Sequence, residues 1–552
     1  MFGISSKDTP VARFQLPGIS LALAIKFGKD QRGSISILAM FFFLLMVMIG
    51  GVAVDLMRYE DVRVRLQNTL DRCTLMAASM EQSQDAEVVV RDCVDKEGLT
   101  AQLAGVTVVQ SADSRDVRAT GIAPTNPIFL HLVGIEKLDA HARAAAIQGI
   151  SNIELSLVLD VSGSMNGKKI ADLRTAAAEF VGTVLNADPK QRVSISLVPY
   201  NGQVNLGPAL RAKYNATDNH GVADVNCIDL PSSVYTSTAM STTLPMPMTG
   251  HVDSYSNTWK TFGYLAADNG WAMPHPLNRW CPPSTTNIVR PPSHDVAALQ
   301  SQINGLTAVG ATSINAGLKW GLTLLDPASR PMINSLVTDG LVDAKFKDRP
   351  VNFGDPNTMK IVVLMTDGSH FTEERLNAGY RTGPSPIWRS VNDHRYSIEH
   401  PSHPGTNKFW VPQLGIWQAT AWNNGGGVVQ QNWETVWANQ RLSWVAWQMY
   451  GRALGTDAGS MEAAYTAAVN AMRSQTPIPA MDAQLQQICS MAKDNKVIIY
   501  GIAFEAPLAG QAQILQCAST PQHYFDADAD NDSLRTVFRS IASNITQLKL
   551  TQ

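Results

Sequence analysis

Charge is what this chain has little of. Asp, Glu, Lys and Arg make up 16% of its 552 residues and nearly cancel, to a net −3. A balance so close to zero leaves no electrostatic footprint for nucleic acid or for general adhesion to an acidic surface. Zinc spacing is missing too. None of the six cysteines forms a Cys-x-x-Cys and no Cys/His cluster has ligand spacing, which argues against a structural zinc site. The 39 glycines and 29 prolines show no period, so collagen-like and repeat architectures are excluded. Enzyme signatures fail in turn. There is no His-Glu-x-x-His, and "SGSM" is not a Gly-x-Ser-x-Gly elbow. "GSMNGKK" is no phosphate loop: Lys169 stands where Ser or Thr is needed, and Gly163 and Gly167 are too close. Asp160 lacks the second aspartate of a phosphoaspartyl motif, and no general base is apparent near it. The expectation is a protein that is not an enzyme.

Long apolar runs are also scarce: there is one. Gly33 to Val54, "GSISILAMFFFLLMVMIGGVAV", carries no charge. As a helix its 22 residues span roughly 33 Å, about the thickness of a hydrocarbon core. A cleaved signal peptide is the competing reading. It would have a shorter apolar region and a small-x-small cleavage site, whereas this run continues into a charged helix. We read 33–54 as a retained transmembrane helix. Upstream, Lys7, Arg13, Lys26, Lys29 and Arg32 face only Asp8 and Asp30. The positive-inside rule makes 1–32 a cytoplasmic tail and places everything after Asp55 outside. Six cysteines beyond such an anchor point to disulfides in an oxidising compartment. Pairing by neighbourhood gives Cys73–Cys93, Cys227–Cys281 and Cys489–Cys517, though six cysteines allow 15 pairings and buried free thiols remain the alternative.

Apolar residues make up 45% of the chain, enough for real cores and two to four domains. From Asp55 to about Gln82, Leu56, Tyr59, Val62, Leu66, Leu70 and Cys73 recur at helical steps. "GVTVVQ", "DVRATGI" and "LDAHARAAAI" follow as strands of a small sheet. A long apolar helix feeding a small sheet is the build of a pilin-like α+β module, here residues 55–150. The stretch "GSISIL…GGVAVDLMRYEDVRVRLQNTLDRCTLMAAS" resembles the N-terminal segment of TadE/TadG-type proteins of Tad (Flp) pilus assembly. The shared pattern is a Gly-Ser start, an apolar helix, an Ala-Val-Asp exit and a Leu-Gln and Ala-rich helix. Thr69, Arg72 and Cys73 break the usual alanine run, and no Gly-x-x-x-x-Glu processing signature is present.

From residue 151 to 552 the pattern changes. "IELSLVLD", "QRVSISLVPY", "KIVVLMTDG" and "KVIIYGIAF" are apolar strands; "KIADLRTAAAEFVGTVL", "SINAGLKWGLTLL" and "AQLQQICSMAKDN" are helices between them. Such alternation indicates an α/β fold, a doubly wound, mostly parallel, Rossmann-like sheet. Two long insertions interrupt it, at about 201–301 and 370–479. The first, with Cys227, Cys281 and many prolines, reads as a stapled cap. The second holds eight of the twelve tryptophans, and the reading favoured here is that they fill a core of its own rather than a binding surface. In an open parallel sheet, ligands bind beyond the carboxyl ends of the strands. Asp160 and Asp367 end two of these strands, with Ser162 and Ser164 in the turn after Asp160. Two carboxylates with several hydroxyls form a hard oxygen set suited to Mg²⁺, Mn²⁺ or Ca²⁺.

At these residues the chain resembles the von Willebrand factor A (VWA) domains. "DVSGSM" matches their Asp-x-Ser-x-Ser motif, "VGATSINAGL" is similar to their Gly-Gly-Thr loop with Ala311 for the second glycine, and "VLMTDGS" matches their Thr-Asp-Gly strand end. The resemblance implies a metal-ion-dependent adhesion site. Ser162, Ser164 and Thr312 would bind the cation through hydroxyls, and Asp160 and Asp367 would complete the charge mostly through water. One coordination position would stay open for an acidic side chain of a protein partner. The function implied is that of a TadG-like, single-pass protein of the bacterial inner membrane, mostly periplasmic, that binds other components of a Tad pilus. The alternative is a pilus- or surface-associated adhesin, with outer-envelope association, using the same site. The acidic run Asp526, Asp528, Asp530 and Asp532 lacks the glycine and distal glutamate of an EF-hand and reads as a solvated turn.

Overall fold

The computed structural model describes residues 34–79, 84–110, 114–149, 152–254, 267, 274–275, 278–355, 357–527 and 531–551. The tail 1–32, Gly33, and Asp528 and Asp530 of the acidic run lie outside the described residues. The chain forms two compact units, Met1–Gln148 and Gly149–Gln552.

The first unit begins with one uninterrupted helix, Ser34–Ala78. It is long and apolar enough to cross a membrane. Ile35 to Ile49 are almost all exposed, whereas Leu66, Leu70 and Cys73 are buried. The helical stripe read from the sequence is therefore the packed face of the helix's second half; Leu56, by contrast, is exposed. A further helix, Ala86–Lys96, was not expected from the alternation around it. Asp85 caps it by accepting from the Glu87 and Val88 amides, and Cys73–Cys93 staples it to the long helix. A three-stranded sheet follows, Leu103–Gln110, Ser114–Thr125 and Leu138–Gly149, with the middle strand in the centre. Ala140, Ala142, Ala144 and Ala146 alternate inward in the last strand. Such small side chains let the sheet approach the helix closely.

The second unit is built on a six-stranded sheet. Its order is Tyr524–Ala527, Ile498–Phe504, Thr358–Thr366, Asn152–Asp160, Val193–Tyr200 and Arg290–Ser293. The first five strands pair in parallel and the last is antiparallel. Both faces are buried, and alternate residues serve different cores. Ile153, Leu155, Leu157 and Leu159 meet the helices Lys168–Asn186, Val296–Asn304 and Asn531–Thr551. Val158, Val362 and Leu364 face the side of Ile314–Thr323 and Ile478–Asp494. The first interruption is shorter than the sequence reading made it, because 290–304 supplies the edge strand and a covering helix to the main sheet.

The second interruption has its own architecture. A five-stranded sheet, ordered Ile416–Gln418, Phe409–Val411, Tyr396–Glu399, Pro384–Ser390 and Val428–Asn432, packs on helices that include a seven-residue π-helix, Val445–Gly451. Trp410, Trp433, Trp437 and Trp444 are buried in its core, so the tryptophans serve packing first. Glu373–Leu376 pairs antiparallel with Arg473–Thr476 and closes its base. All three cysteine pairs join as sequence neighbours, Cys73–Cys93, Cys227–Cys281 and Cys489–Cys517.

Candidate metal centre

The two strands that carry the aspartates lie side by side, in register from Asn152↔Thr358 to Leu159↔Met365. Asp160 is the last residue of its strand and Asp367 the first beyond the neighbouring one. The tight path after Asp160 needs Gly163: its N–H donates to Gly310 O at 2.9 Å, and a Cβ there would stand 3.1 Å from that oxygen. Gly310 holds the positive φ of the facing loop, +84°. Ala311 therefore takes the second-glycine position without strain. Thr312 is delivered by the helix behind it. Gly317 and Gly321, one turn apart, leave room for Tyr200 and Val158, so Ile314–Thr323 lies directly on the sheet. Ser156 Oγ donates to Gly321 O at 2.7 Å and fixes that contact.

These elements bring the predicted residues together. Ser162 Oγ and Ser164 Oγ are 2.9 Å apart, and Ser164 Oγ donates to Asp367 Oδ1 at 2.6 Å. Asp160 is fully buried. Its Oδ1 accepts the Ser162 N–H at 2.8 Å and its Oδ2 the Thr366 hydroxyl at 2.8 Å. Burial, with the charge of Asp367 beside it, pushes the Asp160 carboxyl up to about 7. The Thr312 hydroxyl has no hydrogen-bond partner among the described residues and lines the same cleft as Ser164 and Asp367. Gly368 leaves the floor open: a Cβ there would come within 3.6 Å of Thr312 Oγ1 and 3.9 Å of Ser164 Oγ. The donor set is thus two carboxylates and three hydroxyls, the chemistry a hard divalent cation prefers. Among the described residues no group of three or more His, Cys, Asp or Glu is placed to hold a metal. Any cation here rests on hydroxyls as much as on carboxylates.

Sequence reasoning missed several neighbours. Lys169 Nζ donates to Asp367 Oδ2 at 3.0 Å and lies 3.4 Å from Glu505 Oε2. It appears in the sequence only as a misplaced phosphate-loop residue; it stands in the first turn of the helix Lys168–Asn186, after an extended Asn166 and a positive-φ Gly167, so no helical spacing from Ser162 marks it. Thr366 was legible as the Thr of Thr-Asp-Gly. Arg279, Trp280 and Phe371 complete a cleft of about 490 Å³ over the site. The first two come from one interruption and the third from the other, and nothing in their local sequence marks them. Trp280 sits against Gly202, where any Cβ would collide with its ring, and Phe371 N–H donates to Thr312 O.

Comparison with known proteins places the N-terminal segment first. Residues 33–80 match the Tad family model, "Putative Flp pilus-assembly TadE/G-like". No curated protein matches the chain. Among solved structures, the vWF domain of the type V pili tip protein Mfa5 from Porphyromonas gingivalis is 12% identical, with 73% of this chain and 97% of that chain covered, at a TM-score of 0.30. The pilus adhesin SpaC from Lactobacillus rhamnosus GG is 12% identical at a TM-score of 0.29, covering 80% of this chain and 33% of that one. The PilB minor pilin from Streptococcus sanguinis is 12% identical at 0.27, with 81% and 78% covered. Likenesses at these TM-scores carry no inference about this chain.

Proposed function

We propose that this chain is a single-pass protein of Tad/Flp pilus assembly whose second unit is a doubly wound VWA domain. It binds an acidic side chain of a partner protein through a divalent cation, Mg²⁺ ahead of Mn²⁺ or Ca²⁺. The reading is of a binding protein, not an enzyme. The observation that carries it is the hydrogen-bonded chain Ser162–Ser164–Asp367 beside buried Asp160, with the Thr312 hydroxyl unpartnered on the same cleft.

In this reading Ser162, Ser164 and Thr312 hold the cation through their hydroxyls, and Asp160 and Asp367 balance its charge. When bound, the cation supplies one open position for a carboxylate. The chain's own residues do the rest. The Ser162 N–H and Thr366 hydroxyl orient Asp160, and Lys169 neutralises Asp367 from the protein side. The cleft walls, Trp280 and Phe371, narrow the approach. The TadE/G match, the apolar helix and three disulfides support an inner-membrane anchor with a cytoplasmic N-terminus and a periplasmic bulk.

The test is calorimetric titration of Mg²⁺, Mn²⁺ and Ca²⁺ into the full chain in detergent, beside Asp160→Ala with Asp367→Ala. Binding present in the parent and lost in the variant is expected. Equal heats from both chains would end the metal reading. A pull-down from envelope extracts then checks the partner: Asp367→Ala should lose pilus-assembly components that the parent retains.

A further inference from the structure

We propose that residues 126–135 of the first unit form a second membrane contact, an apolar wedge seated at the boundary between headgroups and hydrocarbon. The inference rests on reading Gly33–Val54 as the membrane span.

The loop is pinned to the long helix at one level. The backbone N–H groups of Ile128, Phe129 and Leu130 donate to the Asp55 carboxylate at 2.8, 2.7 and 2.8 Å. The Phe129 ring lies on Gly51, so closely that a Cβ at 51 would come within 2.2 Å of it. Gly51 and Asp55 are one turn apart on the same helix face. They stand where the apolar run ends, which is the outer edge of the hydrocarbon if 33–54 spans it. The level of the loop follows from that of the helix.

The side chains the loop turns outward are apolar. Ile128, Leu132, Val133 and Ile135 are 59%, 72%, 52% and 39% exposed, within eight residues of one another. The turn is compact: Gly134, at φ +88°, donates to His131 O, and Ile135 N–H reaches Leu130 O. His131, Glu136 and Lys137 add exposed polar groups at the same place. Apolar side chains edged by polar ones suit an interface between lipid and water. The occupant is lipid rather than protein because the patch continues the exposed apolar surface of Ile35–Ile49 at its outer end. The same geometry accounts for an acid at this depth. A bare carboxylate beside hydrocarbon is costly, and three amide donors satisfy Asp55 there.

The experiment uses the full chain in phosphatidylethanolamine–phosphatidylglycerol vesicles. Spin labels are placed singly at Leu132→Cys, Met46→Cys and Lys96→Cys, and oxygen accessibility is compared with that of a water-soluble nickel chelate. Each labelled chain is first required to melt like the parent. Met46 should read deep in lipid, Lys96 in water, and Leu132 near the phosphate level, favouring oxygen over nickel. Leu132 in water with Met46 in lipid overturns the wedge and leaves the anchor standing. Leu132 shielded from both reagents also overturns it, in favour of a protein covering the patch. Met46 in water overturns the membrane reading itself.

Discussion

Asp160 and Asp367 have unequal neighbours. Asp160 is held by an amide and a hydroxyl in full burial, whereas Asp367 faces the cleft and carries the Lys169 ammonium. Lys169 is thus a tethered cation at the place where a free one would add charge. Replacing it with Met should tighten Mg²⁺ binding by a factor of about 5, the scale of a partly exposed ion pair. Glu505→Gln should act in the opposite sense, since it removes the ammonium's second partner. Calorimetry of both variants checks the signs; tightening by both, or by neither, would remove Lys169 from the site. A second residue-scale expectation concerns acid. Burial, then the charge of Arg279, pushes the His251 imidazole down to about 3 from an ordinary 6.5. The unfolded chain therefore takes up a proton that the folded chain refuses. The contribution of His251 to stability is full above about 6.5 and is lost as pH falls toward 3. His251→Gln should flatten the fall in urea midpoint between pH 6.5 and 4; an unchanged slope contradicts the assignment.

Elements deliver these residues, and their features were unequally legible. The strand ends, the Asp-x-Ser-x-Ser turn, the Thr-Asp-Gly turn and the Gly-Ala-Thr loop before its helix are local patterns, and all five candidate ligands were readable from them. The disulfide partners were readable as sequence neighbours. The cleft walls were not, because Arg279 and Trp280 meet Phe371 only through long-range packing. Nor was the helix Ala86–Lys96, whose short apolar run reads equally well as strand. The edge strand Arg290–Ser293 hid behind its two prolines, which suit an edge and little else in a sheet. The seat of Thr312 depends on glycine in the helix that follows. Gly317→Leu should cost about 1–3 kcal/mol through overpacking against Tyr200 and weaken metal binding with it. Urea unfolding and calorimetry of the same variant test the link; lost stability with unchanged affinity would show that the helix does not position Thr312. Cys489–Cys517 ties Ile478–Asp494 to Leu508–Cys517 across 28 residues. Its removal by paired Ser substitution should lower stability by roughly 3–4 kcal/mol, measured by denaturant unfolding.

For the whole molecule, the proposed reading expects fractionation with the inner membrane and loss of Tad pili on deletion. Recovery of the chain free of membrane and bound to external ligands would favour the adhesin instead. The first unit also has a direction. Its loop 126–135 meets the long helix at Asp55, while the Gln67 side-chain amide donates through Nε2 to Arg143 O of the last strand and accepts the Arg143 N–H at Oε1. That strand therefore runs along the helix away from the apolar segment, and by Gly149 the chain leaves this unit at its remote end. The helix beyond Asp55, 56–78, is about 35 Å long. Its unbroken, disulfide-braced length works as a spacer within the first unit. It sets how far along the first unit the last strand's end lies from the apolar segment, and a deletion of whole turns within it would shorten that distance while leaving Asp55 and its three amide donors in place.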